Sequence, residues 1–131
     1  MTIHSIVHIL IEKLKSEGIY LQYYKSQNSN SHYLKLDYGV LKTIRISDHA
    51  SKPHLKYRYN IQSNLKNNRY DKTSKRFFYP FSDLDVMISQ ILSDRHDKIS
   101  SYGADKYEFY MNENIKDNRH KYGFWKDSII I

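Results

Sequence analysis

Apolar side chains recur at helical spacing at the start of the chain. They occupy Ile3, Ile6, Val7, Leu10 and Leu14. A repeat of three to four residues predicts an amphipathic helix that turns this stripe toward a core. Thr2 is a residue type that caps helix starts, and Gly18 is one that ends helices, so the pattern indicates a helix between them.

After Gly18 the period changes to two, which is typical of strands. The pattern predicts four strands: one from Ile19, one around Leu34 and Leu36, Val40–Ser47 and Leu55–Ile61. A short fifth strand over residues 76–81 follows. Gly39 marks a tight hairpin turn between the second strand and the third.

Helical spacing returns after Pro80. Ser82 and Asp85 have the spacing of a capping box, which predicts a helix that ends before Gly103. A further helical segment is expected over residues 104–118.

The tail completes the predicted fold. We expect Trp125 and residues 129–131 to dock on the core as an edge strand. The fold class is therefore α+β in a single domain, residues 1–131. It has an N-terminal helix, a four- to five-stranded antiparallel sheet and one or two C-terminal helices. One face of the sheet packs on helices, and the other is polar and solvated.

Composition excludes several kinds of site. The chain of 131 residues has no cysteine, which excludes disulfides, thiolate metal sites and a cysteine nucleophile. This absence favours a reducing cytosol, so we expect a cytoplasmic protein. Apolar runs are too short to span a bilayer, and we expect no membrane association. No motif indicates a cofactor.

Positive charge is unevenly distributed. The net charge is +7, and residues 1–75 hold 13 basic and 5 acidic side chains, whereas residues 76–131 hold 8 and 9. AT-rich codons for Lys, Asn, Ile and Tyr explain part of the overall basicity but account less well for this asymmetry. A basic half attracts phosphates, nucleic acid or acidic protein surfaces.

The strand alternation gathers this charge on one sheet face. Arg45, Lys56 and Arg58 fall on the polar side of paired strands, and Lys35 joins them. We expect Asp37 or an anionic partner to share their charge, because like charges across a sheet repel. The basic segment over residues 62–76, predicted to be a mobile loop, extends the surface. Its cations are Lys66, Arg69, Lys72, Lys75 and Arg76.

Tyrosines interleave with these cations. Tyr20, Tyr24 and Tyr33 fall on the polar side of their strands. Aromatic rings beside Arg and Lys are typical platforms for unpaired bases, and are also favoured at protein interfaces. The leading hypothesis is therefore a non-enzymatic protein that binds nucleic acid or a nucleoprotein effector.

Two alternatives remain open. Asp48, His49 and His54 flank one loop, where a histidine can carry protons and Asp48 can orient it. With nearby cations for a phosphate, they are candidate catalytic residues of a small phosphodiesterase or nucleotide-handling enzyme. They also form a weak candidate metal site, as do His4 and His8, one helical turn apart. The other alternative is a scaffold that binds an acidic protein partner.

One stretch carries a resemblance to known proteins. Ser29-x-Ser31-x-Tyr33, then Arg45-Ile-Ser-Asp-His49 and Tyr57-Arg58-Tyr59, resembles small proteins of phages and mobile elements in low-GC Gram-positive bacteria. The resemblance implies an accessory protein in the host cytoplasm that binds host machinery, as inhibitors of CRISPR effectors do. Many such inhibitors are acidic mimics of nucleic acid. A basic one is expected to contact guide RNA, target DNA or an acidic protein patch.

Overall fold

The computed structural model describes residues 2–48, 59–63, 77–120, 125 and 127–131. The predicted α+β class is confirmed, with an N-terminal helix, an antiparallel sheet and two C-terminal helices. The helices are α1 (Ile3–Ser16), α2 (Leu84–Tyr102) and α3 (Ala104–His120). The strands are β1 (Leu21–Lys25), β2 (His32–Leu36), β3 (Lys42–Asp48), β4 (Tyr59–Ser63), β5 (Phe77–Pro80) and β6 (Ile129–Ile130).

The sheet is an antiparallel meander with one added edge. Strands β1 to β5 pair in sequence order, and β6 pairs with the outer edge of β1. The register sets Tyr24 opposite Tyr33, and Tyr33 opposite Arg45. The tail therefore forms the predicted edge strand.

The hydrophobic core lies between the sheet and helices α1 and α2. Leu10 and Leu14 of α1 and Ile91 of α2 are fully buried against Leu34 and Ile44 of the sheet. We call this side of the sheet the core face and the opposite side the back face. The start of α1 is as predicted, since the Thr2 hydroxyl accepts a hydrogen bond of 3.1 Å from the Ser5 amide.

A buried carboxylate fixes the turn after β2. Asp37, Tyr38 and Gly39 form a 3-10 turn with φ angles of 51°, 56° and 94°. The Asp37 carboxylate is 0% exposed. It accepts hydrogen bonds from Arg95 Nε at 2.6 Å, the Tyr107 hydroxyl at 2.5 Å and the Tyr20 amide at 3.1 Å. One side chain thus ties α2, α3 and the residue that precedes β1 to this turn.

The protonation states of this network follow from its contacts. Burial, then the hydrogen bond to Asp37, raises the pKa of the Tyr107 hydroxyl. Burial alone lowers the pKa of Arg95, but its hydrogen bond and ion pair with Asp37 outweigh that effect and raise it. Arg95 therefore stays positively charged and Tyr107 stays a hydroxyl donor, as the network requires.

Two boundary predictions are wrong. Phe81–Asp83 forms a 3-10 turn that leads into α2, and the Asp83 cap of this helix has no side-chain hydrogen bond. Ser82 lies inside that turn rather than in front of the helix, so the predicted capping box does not form. Strand β4 continues to Ser63 because Gln62 and Ser63 still pair with β3. The predicted 62–76 loop therefore starts too early, and residues 64–76 lie outside the described residues.

Within the described part of the chain, every helix is too short or too polar to span a bilayer.

Candidate functional site

The back face carries aromatic and basic side chains on three adjacent strands. Residue alternation places Tyr24 of β1, Tyr33 and Lys35 of β2 and Arg45 of β3 on this side. All four are half-buried. Together with Trp125 from the C-terminal segment, we call them the back-face cluster.

Trp125 lies at the centre of the back-face cluster. Its ring centroid is 6.4 Å from the rings of both Tyr24 and Tyr33, tilted to the first and edge-on to the second. The two tyrosine rings are 6.3 Å apart. The ammonium nitrogen of Lys35 lies 4.3 Å from the Trp125 centroid, over the ring. This is the geometry of a cation–π contact, in which the ring face attracts the charge.

The two cations of the back-face cluster have different surroundings. Burial lowers the pKa of the Lys35 ammonium, since a charged group loses water contacts there. Arg45 Nη2 donates a hydrogen bond of 3.0 Å to the hydroxyl of Ser31, which is 2% exposed. This contact joins the guanidinium to the residue that precedes β2, the strand that carries Tyr33.

A buried glutamine attaches the Trp125 segment to the sheet. Gln22 of β1 is 0% exposed. Its Nε2 donates to the Ser128 hydroxyl at 2.6 Å and lies 3.5 Å from the Trp125 carbonyl oxygen. The Ser128 hydroxyl in turn donates to that same carbonyl at 2.6 Å. These contacts and the β6–β1 pairing fix where Trp125 sits on the back face.

The structure brings two of the predicted binding residues together. Lys35 and Arg45 lie on one face, with Tyr33 opposite Arg45 in the register. The face differs in part from the expected polar and solvated one, because aromatic rings cover some of it and Gln22 is buried. Asp37 does not share these charges as expected, since its carboxylate is bonded to Arg95 and Tyr107 instead.

Other predicted residues lie outside the described residues. They are His49, His54, Lys56, Arg58, Lys66, Arg69, Lys72, Lys75 and Arg76. Of the candidate catalytic group, Asp48 alone is described. It is half-buried at the end of β3 and pairs in register with Tyr59, on the core-face side of the alternation. The catalytic hypothesis therefore stays a prediction.

The structure bears on the candidate metal pair His4 and His8, whereas the Asp48, His49 and His54 site includes residues outside the described part of the chain. His4 and His8 are both exposed on α1. Among the described residues, no three His, Asp or Glu side chains are grouped closely enough to hold a metal ion.

No protein-family model, curated protein or solved structure matches the chain. The resemblance to phage and mobile-element proteins therefore stays a prediction.

Sequence reasoning missed the role of Trp125. The pattern predicted that this residue docks the tail on the core, whereas its ring lies on the opposite face, against Tyr24 and Tyr33. One signal was present in the sequence. Trp125 is the only tryptophan in the chain, and Tyr24, Tyr33 and Lys35 already shared a face that lacked an apolar cover.

Proposed function

We propose that the protein binds single-stranded nucleic acid on the back face of its sheet. The observation that carries this proposal is the back-face cluster, in which three aromatic rings lie beside one lysine and one arginine. Bases stack on aromatic faces without strong sequence preference, and cations beside them neutralise the phosphates.

Ring geometry supports stacking. Trp125, Tyr24 and Tyr33 are tilted or edge-on to each other, so their ring faces are not all covered by one another. Each ring is half-buried, which holds it in place while part of its surface meets solvent. An ordered ring loses less conformational entropy when a base stacks on it.

The positive charge of the back face also supports a nucleic-acid partner. Lys35 lies over the Trp125 ring and Arg45 pairs in register with Tyr33, and residues 1–75 carry an excess of basic side chains. Arg45 is well suited to phosphate because its guanidinium is planar, always charged and able to donate two parallel hydrogen bonds.

Fluorescence anisotropy with labelled single-stranded RNA and DNA tests the proposal. We expect the logarithm of the association constant to fall linearly with the logarithm of the salt concentration, with a slope set by the number of phosphate contacts. The Lys35→Ala/Arg45→Ala variant should bind more weakly and reduce the slope by about 1.4, since each phosphate contact on a single strand contributes about 0.7. Trp125→Phe should bind better than Trp125→Ala because it keeps a ring.

A matched variant controls for net charge. Lys15→Ala/Lys116→Ala removes two exposed cations from α1 and α3 and should leave affinity and slope close to those of the parent protein. Equal losses in the two double variants would mean that binding depends on total charge and not on the back-face cluster. Preferential binding to duplexes would also contradict the stacking argument.

A second candidate function is supported by a separate observation on α2 and α3. Tyr102, Phe109 and Tyr110 are 41%, 57% and 36% exposed. Their rings form a contiguous patch, with Tyr110 5.6 Å from Tyr102 and 5.9 Å from Phe109. Exposed aromatic patches of this kind are typical of protein interfaces. Lys98 and Lys106 beside the patch favour an acidic protein surface, the scaffold alternative.

A double variant on α3 separates the two functions, because it removes the exposed aromatic patch and leaves the back-face cluster intact. Phe109→Ser/Tyr110→Ser should leave oligonucleotide affinity unchanged but abolish capture of an acidic partner in pull-downs from host lysate. Inhibition of a bacterial defence effector, such as a CRISPR nuclease, stays a prediction that either function accommodates. If this variant lowered oligonucleotide affinity, the assignment to the back face would be wrong.

A further inference from the structure

A cleft of about 350 Å³ opens between the turn after β2 and helices α2 and α3. It lies outside the back-face cluster. The side chains with aromatic or polar groups at its walls are Tyr20, Tyr38, Arg95, Tyr107, Glu108 and Asn112. Its size falls within the range of pockets that hold small organic ligands.

The aromatic wall of the cleft is held by a strained turn. Tyr38 has a left-handed backbone, with φ of 56°, and its ring centroid is 5.9 Å from that of Tyr20. Such conformations cluster at binding sites when surrounding contacts enforce them. Here the buried Asp37 carboxylate enforces the turn through Arg95, Tyr107 and the Tyr20 amide. Tyr20 itself is 52% exposed, so its ring meets solvent.

Polar groups at the rim supply both donors and acceptors. Arg95 uses Nε and Nη2 to bond Asp37, and a guanidinium has five N–H groups, so three remain for other partners. Glu108 and Asn112, four residues apart on α3, are exposed at the rim. Because the charges of Arg95 and Glu108 are opposite, the rim does not favour a phosphate. It suits an uncharged planar ring with donors and acceptors on its edge.

We propose that this cleft binds one unpaired nucleobase, which stacks on Tyr20 and Tyr38 and hydrogen-bonds Arg95, Glu108 and Asn112. This inference rests on the proposed function, because the single-stranded nucleic acid proposed to bind the back face supplies the base. Bases in single strands are read by aromatic stacking combined with hydrogen bonds to their edges. The back-face cluster would then bind the neighbouring nucleotides through its rings and cations, and the cleft would select among bases.

Gly39, which follows the cleft residue Tyr38, lies near Lys35 of the back-face cluster. A Cβ on Gly39 would lie 3.5 Å from Lys35 Cδ and 3.7 Å from Asn114 Nδ2. The turn that bears Tyr38 therefore touches Lys35, which itself lies over Trp125. A strand whose phosphates contact Lys35 would then pass close to the turn that bears Tyr38.

Titration with the four neutral nucleosides, followed by amide NMR, tests the cleft without any phosphate. We expect shifts at Tyr20, Tyr38, Glu108 and Asn112, with one nucleoside bound more tightly than the others. Tyr20→Ala should weaken nucleoside binding by about tenfold, as expected for the loss of a stacking ring. The variant keeps the backbone amide that bonds Asp37, so it should stay folded. Glu108→Gln should change the preferred nucleoside, whereas Glu113→Gln, also exposed on α3, should not.

The variants separate this inference from the proposed function. Lys35→Ala/Arg45→Ala should lose oligonucleotide affinity but keep nucleoside binding. Absence of nucleoside shifts at millimolar concentration would overturn the cleft assignment, even if oligonucleotides bind the back face. Nucleoside binding without oligonucleotide binding would keep the cleft and overturn the proposed function. Shifts at residues far from the turn and α3, unchanged by Tyr20→Ala, would also overturn the cleft assignment.

Discussion

Replacement of Arg95 with methionine is a direct test of the buried carboxylate that fixes the turn after β2. Methionine has similar length and a similar helix propensity, so the change mainly removes the cation from α2. Asp37, which is 0% exposed, would keep the Tyr107 hydroxyl and the Tyr20 amide as donors. It would lose its bonds to Arg95 Nε at 2.6 Å and Nη2 at 3.4 Å.

The size of the expected stability loss follows from how deeply the Asp37 and Arg95 side chains are buried. Removal of one partner of a buried ion pair costs about 3–5 kcal/mol, because the other charge is left uncompensated. The Arg95 side chain is 21% exposed, so water can approach the space it vacates. We therefore expect a loss of about 3 kcal/mol. Since domains are typically stable by about 5–15 kcal/mol, the variant should still fold.

Urea denaturation followed by far-UV circular dichroism measures this loss. The parent protein, Arg95→Met, Asp37→Asn and the double variant form a double-mutant cycle. We expect the double variant to be more stable than the sum of the single losses predicts, since removing the buried charge removes the main penalty of losing Arg95. Lys13→Met is a control, because it breaks the exposed Lys13–Asp85 ion pair and should cost less than about 1 kcal/mol.

Two outcomes would refute this reasoning. A loss below about 1 kcal/mol for Arg95→Met would mean that the Asp37 charge is solvated or paired in another way. Strictly additive losses in the cycle would mean that the two side chains act independently.

Three further predictions concern stability. Burial, reinforced by two neighbouring basic groups, lowers the pKa of His32 to about 4 from 6.5. The unfolded state therefore takes up the proton first, and stability falls as the pH drops from 6.5 to 4, by up to about 1.4 kcal/mol per pH unit. Urea midpoints of His32→Asn should show a shallower slope there, and an equal slope would contradict this. Thr2→Ala should lower the stability measured in thermal melts by about 1 kcal/mol, because the Thr2 hydroxyl caps α1 by accepting a hydrogen bond from the Ser5 amide. Thr2→Ser keeps a hydroxyl and should lower it less. Gly103→Ala should lower the free energy of unfolding by about 1–3 kcal/mol. A Cβ there meets nothing within 4 Å, so the loss would come from the φ of 86° alone. An unchanged urea midpoint would contradict this backbone origin.

Much of the fold could be predicted because its signals are local. The apolar stripe of α1, the alternation of β3 and the glycine between α2 and α3 each depend on residues that are close in sequence. The start of α2 could not be predicted, because Ser82 and Asp85 match a capping box equally well whether or not a 3-10 turn precedes the helix. Phe81 of the turn packs against the hydrophobic core, a contact between distant segments that the local pattern does not contain.

The candidate site was only half predictable for the same reason. Alternation placed Lys35 and Arg45 on one face, and the structure agrees. The positions of Trp125 and Asp37 depend on contacts across the chain. Gln22, which positions the Trp125 segment, bonds Ser128 106 residues away. Asp37 bonds Arg95 and Tyr107, 58 and 70 residues away. Sequence patterns within a segment contain no signal for such partners.

The β6–β1 pairing has a consequence for how the protein folds. Strands β1 to β3 pair with sequence neighbours, whereas β6 must return to β1 across most of the chain. Closing so long a loop costs more entropy than closing a hairpin, and it slows the contacts that depend on it. We therefore expect the meander to form before the C-terminal segment docks. Because Trp125 is the only tryptophan and lies on that segment, its fluorescence should report the last step of refolding, after circular dichroism has already reached its native value.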